Sequence, residues 1–205
     1  MGQRVVLIRH AEAQPTLAQE GRPLAAGRDA PLSAAGRRQA SRLAPRLARL
    51  GDGPLLCSPL LRARETALIA TEALQRRIEI DPDLREIEFG DWEGLTFDEM
   101  ARRDPHGIAG WTRFGRDFAF PGGERLGDFL DRIETLARRV AGLGRPVTLI
   151  THGGVIRTLL CLLLGLNPRH YLLFEVDCAS VSEVDLFGER GVLVRLNDTC
   201  HLDEH

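Results

Sequence analysis

The sequence has few of the features that mark a metal-dependent, disulfide-linked or membrane-embedded protein. Its four cysteines form no Cys-x-x-Cys pair and have no histidine at ligand-like spacing, so neither a zinc site nor a redox dithiol is predicted. We expect Cys57 and Cys161, which lie in apolar runs, to be small core residues. The longest apolar stretch, residues 159–166, is far too short to span a bilayer.

The charge balance also excludes some partners. The chain has 27 basic and 29 acidic residues and a net charge of −2, so no polycationic surface for nucleic acid or membrane is predicted. The first apolar run begins close to Met1 and leaves no basic-then-apolar leader, so we expect a cytoplasmic protein. With 205 residues and 43% hydrophobic content, the chain can bury one substantial core. We therefore predict a single domain over residues 1–205, with residues 83–124 as an irregular elaboration.

Short apolar, β-branched runs alternate with amphipathic segments along the chain. Such alternation predicts an α/β fold with three layers, in which a mostly parallel sheet is covered by helices on both faces. The predicted strands are Arg4–Ile8, Leu55–Cys57, Ile78–Ile80, Val147–Thr151, Val181–Leu186 and Val192–Leu196.

Helix boundaries are predicted from capping residues and prolines. We expect Ser33 to cap a helix that reaches Leu50 and is kinked or broken at Pro45. Ser58, followed by Pro59 at the first helical position, is expected to cap a second helix. The helix capped by Ser33 is predicted to end near Leu50, and the one capped by Ser58 near Gln75. Three further helices are predicted at Phe97–Arg103, Arg125–Val140 and Gly154–Leu164. Breaks are predicted at Pro105, Gly107, Pro121 and Gly122-Gly123.

Two of the predicted strands end in a histidine. Val5-Val6-Leu7-Ile8 leads into Arg9-His10, and Val147-Thr148-Leu149-Ile150-Thr151 leads into His152. In open α/β sheets, reactive groups collect where the carboxyl ends of the strands meet helix N-termini. One histidine of this kind would be unremarkable in a core, but two, with an arginine beside one of them, favour a shared site.

Six sequence blocks in a fixed order resemble those of the histidine phosphatase superfamily, which has a phosphoglycerate-mutase-like fold. Together they cover the chain up to its final strands. The blocks are Leu7-Ile8-Arg9-His10, Pro31-Leu32-Ser33 with Gly36 and Gln39-Ala40, Ser58-Pro59-Leu60-Leu61-Arg62-Ala63-Arg64-Glu65-Thr66-Ala67, Glu86 with Phe89-Gly90-Asp91-Trp92-Glu93-Gly94, Pro121-Gly122-Gly123-Glu124, and Thr151-His152-Gly153-Gly154-Val155-Ile156-Arg157.

The resemblance implies a metal-independent phosphomonoesterase that needs no cofactor and acts on a small phosphorylated metabolite. A neutral imidazole such as that of His10 can attack phosphorus and form a phosphohistidine. The guanidinium group of arginine is planar and always charged, and it can donate two hydrogen bonds to a phosphate. We therefore expect Arg9 and Arg62 to bind the phosphoryl group. His152 completes this set.

The remaining predicted roles are proton donation and amide binding. Glu86 is the predicted general acid for the leaving alkoxide, with Glu88 and Glu93 as alternatives. The amides of Gly153 and Gly154 are expected to bind the anion if they open a helix.

The sequence departs from the family pattern near the first histidine. Ala11-Glu12-Ala13 stands where Gly-Glu-Thr is usual, and Thr16 aligns with an asparagine that commonly contacts phosphate. Thr16 can still donate a hydroxyl hydrogen bond, so we retain it as a predicted phosphate contact. The loop over residues 14–32 also looks lengthened.

Within the superfamily, the sequence looks most similar to the α-ribazole 5′-phosphate phosphatases of cobalamin synthesis. A cofactor-dependent phosphoglycerate mutase and an inactive binding or regulatory relative are the alternatives. Specificity is expected in residues 91–124 and in the loop before Leu32, which form the predicted pocket rim. The last strand pair offers an edge for a homodimer, and monomer and dimer both stay open.

Overall fold

The computed structural model describes residues 2–14, 29–50, 53–188 and 190–203. Its strands and helices alternate along most of the chain, as the sequence predicts. The strands are β1 (Gln3–Arg9), β2 (Leu55–Cys57), β3 (Ile78–Ile80), β4 (Val147–Thr151), β5 (Val181–Phe187) and β6 (Arg190–Asp198). The helices are α1 (Ala34–Ala48), α2 (Leu61–Thr71), α3 (Phe97–Arg103), α4 (Pro105–Thr112), α5 (Leu126–Ala141) and α6 (Gly153–Leu163).

The strands form one sheet in the order β3-β2-β4-β1-β5-β6. The first four in this order are mutually parallel, and β5 and β6 add an antiparallel edge. Strand β1 lies directly beside β4, with Arg9 opposite Thr151. This register places the two residues that follow, His10 and His152, at the same end of neighbouring strands.

Alternate residues of the strands face the two helical layers. Val5 and Leu7 belong to the core on the α5 and α6 side. Val6 and Ile8 belong to the core on the α1 and α2 side. Because strand side chains alternate between faces, a strand that is covered on both faces needs a continuous apolar run, and β1 has one at its centre, from Val5 to Ile8. The predicted α/β fold with three layers and a mostly parallel sheet is confirmed, as is the burial of Cys57 and Cys161.

The predicted cap of α2 is wrong. The helix begins at Leu61, its N-cap position is Leu60, and it ends at Thr71 rather than Gln75. The side chain that accepts a hydrogen bond from the Leu61 amide is that of Asp29, at 2.5 Å. Ser58 contacts His152 instead. The first amide of α2 is therefore capped by Asp29, which is distant in sequence, and not by the neighbouring Ser58.

Two prolines also behave differently from the prediction. Pro45 lies inside α1, which continues to Ala48, so the expected break is absent. The predicted helix Phe97–Arg103 ends ahead of Pro105, as expected, but the break expected at Gly107 is absent, because Pro105 starts the next helix, α4. Asp104 caps this helix by accepting from the Gly107 amide at 2.7 Å, and proline is well suited to the first helical position.

Candidate active site

His10 follows the end of β1 and is almost completely buried. Its backbone amide donates to the carbonyl of Thr151 at 2.8 Å, which locks the end of β1 to β4. The ring Nδ1 lies 2.8 Å from the Ala11 carbonyl, which can only accept, so Nδ1 carries the proton. The other nitrogen, Nε2, accepts from Nε of Arg62 at 3.3 Å. Its lone pair is therefore unprotonated and directed towards the arginine.

The charge state of His10 fits this geometry. Burial, together with the nearby charges of Arg62 and Arg9, holds the pKa of His10 well below its ordinary value. An imidazole that stays neutral has a free lone pair at Nε2. The ring is therefore a competent nucleophile at neutral pH.

His152 lies at the end of β4, with its ring centroid 5.0 Å from that of His10. Its Nε2 is 2.7 Å from the hydroxyl oxygen of Ser58, and that same oxygen accepts from the Leu60 amide at 3.3 Å. The hydroxyl proton is thus free to be donated to Nε2, and we assign the His152 proton to Nδ1 on that basis. Burial first, and then neighbouring charges led by Arg62, lower the pKa of His152 well below its ordinary value.

Three buried polar atoms around these rings have no hydrogen-bond partner within the described ranges. They are Nε of Arg9, Nη1 of Arg62 and Nδ1 of His152. Buried donors are normally satisfied, and an unsatisfied one costs about 1–3 kcal/mol. Burial lowers the pKa of Arg62, whereas the charge of Glu86 raises it. Three donors that face the same rings form a site that an anion would complete.

Glu86 lies beside the N-terminus of α6. Its Oε2 accepts from the Gly154 amide at 3.0 Å, and its Oε1 accepts from the Ile87 amide at 3.1 Å. A Cβ at residue 154 would lie only 2.5 Å from Oε1, so glycine leaves room for this carboxyl group. Glu88, by contrast, has a side chain that is 56% exposed and pairs with Arg85.

Gly153 and Gly154 open α6, as the sequence predicts, but they are used differently. The Gly154 amide bonds to Glu86 and so is occupied by the protein itself. Gly153 is the first residue of the helix and lies against Arg9, whose Nε is 3.7 Å from an ideal Cβ at this position. Gly153 stays a predicted phosphate contact. Thr16 lies outside the described residues.

Sequence reasoning missed the contact between Ser58 and His152 and the cap of α2 by Asp29. Ser58 had a competing local explanation because Ser-Pro is a common helix start. It also missed Arg132 of α5, whose guanidinium bonds to the main chain beside Glu86. No spacing or composition signal points to such a contact with a carbonyl.

Within the described ranges, no group of three or more histidine, cysteine, aspartate or glutamate side chains is arranged to hold a metal ion. No helix there is long and apolar enough to cross a membrane. The positive charge that acts on both histidines comes from Arg62 and Arg9, and Arg132 also acts on His152.

A neutral imidazole, one buried and one partly buried arginine and a neighbouring carboxyl group are the groups that phosphoryl transfer requires. The model of the histidine phosphatase superfamily (branch 1) matches residues 5–199. The chain belongs to that superfamily, and it is a phosphatase, a hydrolase of small phosphorylated substrates.

Proteins similar to this chain have several named substrates. Phosphoserine phosphatase 1 of Hydrogenobacter thermophilus is 30% identical over 203 residues, covering 98% of this chain and 95% of the relative. The α-ribazole phosphatase structure of Shigella flexneri has a TM-score of 0.82 and 28% identity, covering 96% of this chain and 97% of that one. The mycobacterial glucosyl-3-phosphoglycerate phosphatase structure has a TM-score of 0.78 and 27% identity, covering 96% of this chain and 99% of that one.

Proposed function

We propose that this protein hydrolyses phosphomonoesters without a metal ion, through a phosphohistidine formed on Nε2 of His10. The observation that carries the proposal is the pairing of an unprotonated Nε2 with unpartnered buried donors around it. Attack on phosphorus needs a nucleophile in line with the leaving group and compensation of charge on the phosphoryl oxygens. The arginines can supply that compensation from fixed positions.

In this mechanism the phosphoryl group displaces the contact between Arg62 and His10. Arg62 then donates to a phosphoryl oxygen, and the freed Nε2 lone pair attacks phosphorus. Arg9 and the Nδ1 proton of His152 bind the other oxygens. Glu86, in its carboxylic acid form, gives its proton to the leaving alkoxide and afterwards accepts one from the water that opens the phosphohistidine.

The nucleophile is tested by trapping the intermediate. Acid-labile, alkali-stable phosphate should be transferred from labelled substrate to the wild-type protein in the presence of EDTA. His10→Ala should remove both the label and turnover, with a loss on the order of 10⁴-fold or more. Loss of turnover in EDTA that a divalent ion restores would overturn the metal-free mechanism.

The acid is tested by changing the leaving group. Glu86→Gln should slow an alkyl phosphate by about 10²- to 10⁴-fold, because the poor alkoxide leaving group needs a proton. An activated aryl phosphate such as p-nitrophenyl phosphate needs almost none and should lose far less. Equal losses on the two esters would show that Glu86 does not protonate the leaving group, and Glu88→Gln serves as the matched control.

We further propose α-ribazole 5′-phosphate as the substrate, which the likeness to the Shigella flexneri α-ribazole phosphatase supports. The proposed pocket rim lies in residues 83–124, where Phe114 packs 5.2 Å from Tyr171. Burial raises the pKa of Tyr171 to about 12, and the influence of the Arg157 and Glu86 charges on it supports a role for this aromatic pair in the proposed rim. The test is to measure kcat/KM for a panel of phosphate esters that includes α-ribazole 5′-phosphate and phosphoserine. A higher kcat/KM for phosphoserine than for α-ribazole 5′-phosphate would overturn this assignment. Phosphoryl transfer between phosphoglycerates in the presence of 2,3-bisphosphoglycerate would also overturn it.

A homodimer stays a prediction. Strand β6 is an edge of the sheet and exposes Val192 and Val194, which are 40% and 43% accessible. Apolar side chains along a sheet edge favour pairing with a second strand. Sedimentation at micromolar concentration would separate a dimer from a monomer.

A further inference from the structure

A buried ion pair lies beneath the chain segment that presents Glu86. Arg132 of α5 donates through Nη2 to both carboxylate oxygens of Glu124, at 3.1 and 3.0 Å. The side chains are only 14% and 11% exposed. Glu124 ends the Pro-Gly-Gly-Glu block, a motif for which the proposed reaction has no role. A largely buried pair whose guanidinium also bonds to the main chain has a more fixed geometry than an exposed pair.

The pair bonds to the main chain on both sides of Glu86. On one side, Nη1 of Arg132 donates to the carbonyls of Asp83 and Arg85, each at 2.8 Å. On the other, the Glu124 amide donates to the Glu88 carbonyl at 2.8 Å, and the Glu88 amide donates to the Glu124 carboxylate at 3.3 Å. We call residues 83–88 the acid segment.

The acid segment has little regular structure of its own to hold Glu86 in place. A short 3-10 helix ends at Leu84, and residues 85–89 belong to no helix or strand. Within the segment, Thr151 of β4 donates its hydroxyl to the Leu84 carbonyl at 2.6 Å. The carbonyls of Asp83 and Arg85 accept from the guanidinium of Arg132, and that of Glu88 accepts from the Glu124 amide. A loop that carries a reacting group needs such outside support, because a shift of about 1 Å can cost about 10² in rate.

We propose that Arg132 and Glu124 are positioning residues that hold the Glu86 carboxyl group at the leaving-group oxygen. This inference rests on the proposed role of Glu86 as the general acid. Arg132 and Glu124 do not themselves reach the reacting atoms. They act by holding the backbone before and after Glu86, so that its side chain meets the Gly154 amide and the substrate.

The signature of this role is leaving-group selectivity. Arg132→Lys keeps the positive charge but cannot bond to two carbonyls and a carboxylate at once. It should lower the ratio of alkyl phosphate to p-nitrophenyl phosphate turnover by about 10- to 100-fold. Glu124→Gln, which has nearly the same shape, should lower the ratio in the same direction. Because both esters are measured on one sample, the folded fraction cancels from the ratio.

Arg139 supplies a matched control on the same helix. It donates to the side chains of Asp81 and Asp83, at 2.7 and 3.0 Å, and so ties α5 to the start of the acid segment without touching its carbonyls. Arg139→Lys should leave the ratio within about twofold of the wild type. A fall in the ratio equal to that of Arg132→Lys would show that general loosening is the cause and would overturn the proposal.

A second comparison separates this inference from the proposed function. In a Glu86→Gln background, Arg132→Lys should produce no further change in the ratio, because the group that it positions is gone. An additive effect would overturn the positioning role and leave the general acid intact. A normal ratio in Glu86→Gln alone would overturn the role of Glu86, and the positioning role with it.

Discussion

At the scale of single residues, the site is organised by the placement of protons. His10 and His152 both have depressed pKa values and are neutral at pH 7, and we assign the proton of each ring to Nδ1 for different reasons. A main-chain carbonyl accepts from Nδ1 of His10, whereas the hydroxyl of Ser58 donates to Nε2 of His152. In the proposed mechanism, one ring therefore offers a lone pair to phosphorus and the other offers a donor to a phosphoryl oxygen. Two residues of one type thus acquire opposite functions from their neighbours.

Replacement of Ser58 by alanine tests the role of this hydroxyl. The change leaves Nε2 of His152 without its partner and allows the proton to move to that nitrogen, away from the pocket. We expect the inhibition constant for inorganic phosphate to rise by about tenfold, the effect of one hydrogen bond worth about 1.4 kcal/mol. Competitive inhibition assays measure this directly.

Ser180 offers a matched control for that substitution. It is also buried, at 1% exposure, but its hydroxyl has no partner within the described ranges. Ser180→Ala should therefore leave phosphate binding unchanged. Equal weakening of phosphate binding in both alanine variants would show that lost packing, and not the tautomer of His152, is the cause.

At the scale of elements, most strands were predictable and several helix ends were not. A strand buried on both faces is a continuous apolar run, which the sequence displays at β1 and β4. The start of α2 depends on Asp29, whose distance along the chain no local pattern conveys. The same applies to Arg132, because two of its partners are main-chain carbonyls, which carry no sequence signal, and the third, Glu124, is eight residues away on a different segment.

The cap of α2 has a consequence that a stability measurement can detect. Asp29 accepts a hydrogen bond from the amide of Leu61, the first residue of α2. Arg62 is the next residue of this helix. Asp29→Ala should lower the free energy of unfolding by about 1 kcal/mol, as is typical for loss of a cap. It should also weaken phosphate binding, because Arg62 loses a fixed helix end. Urea unfolding and phosphate inhibition measure the two effects.

Asp29→Asn distinguishes capping from charge. Asparagine keeps an acceptor oxygen, so it should restore most of the stability. A stability loss as large as that of the alanine variant would mean that the carboxylate charge near Arg62, rather than the hydrogen bond to Leu61, is what matters.

At the scale of the whole molecule, the site lies where the parallel strands end between the two helical layers. The convergence of His10 and His152 depends on the neighbouring position of β1 and β4 in the sheet. The sequence blocks predicted which residues belong to the family's site, and the order of the strands brings those residues together. The alternation of strands and helices predicted the sheet, but it contained no information on the hydrogen bonds that set the tautomers.

Burial of two neutral histidines makes the stability of the whole fold depend on pH. Their pKa values are depressed in the folded state, mainly by burial, so the unfolded chain binds protons first as the pH falls through about 6.5. The free energy of unfolding should therefore be unaffected by these groups above that pH and decrease below it. The limiting slope is about 1.4 kcal/mol per pH unit for each histidine.

Urea titrations at pH 7.5, 6.5 and 5.5 measure how steeply the free energy of unfolding falls with pH. The slope should become shallower in His10→Asn and His152→Asn. It should not change in His106→Asn, the control, because His106 is exposed. Equal slopes in all four proteins would show that other groups cause the acid sensitivity and that neither buried histidine resists protonation.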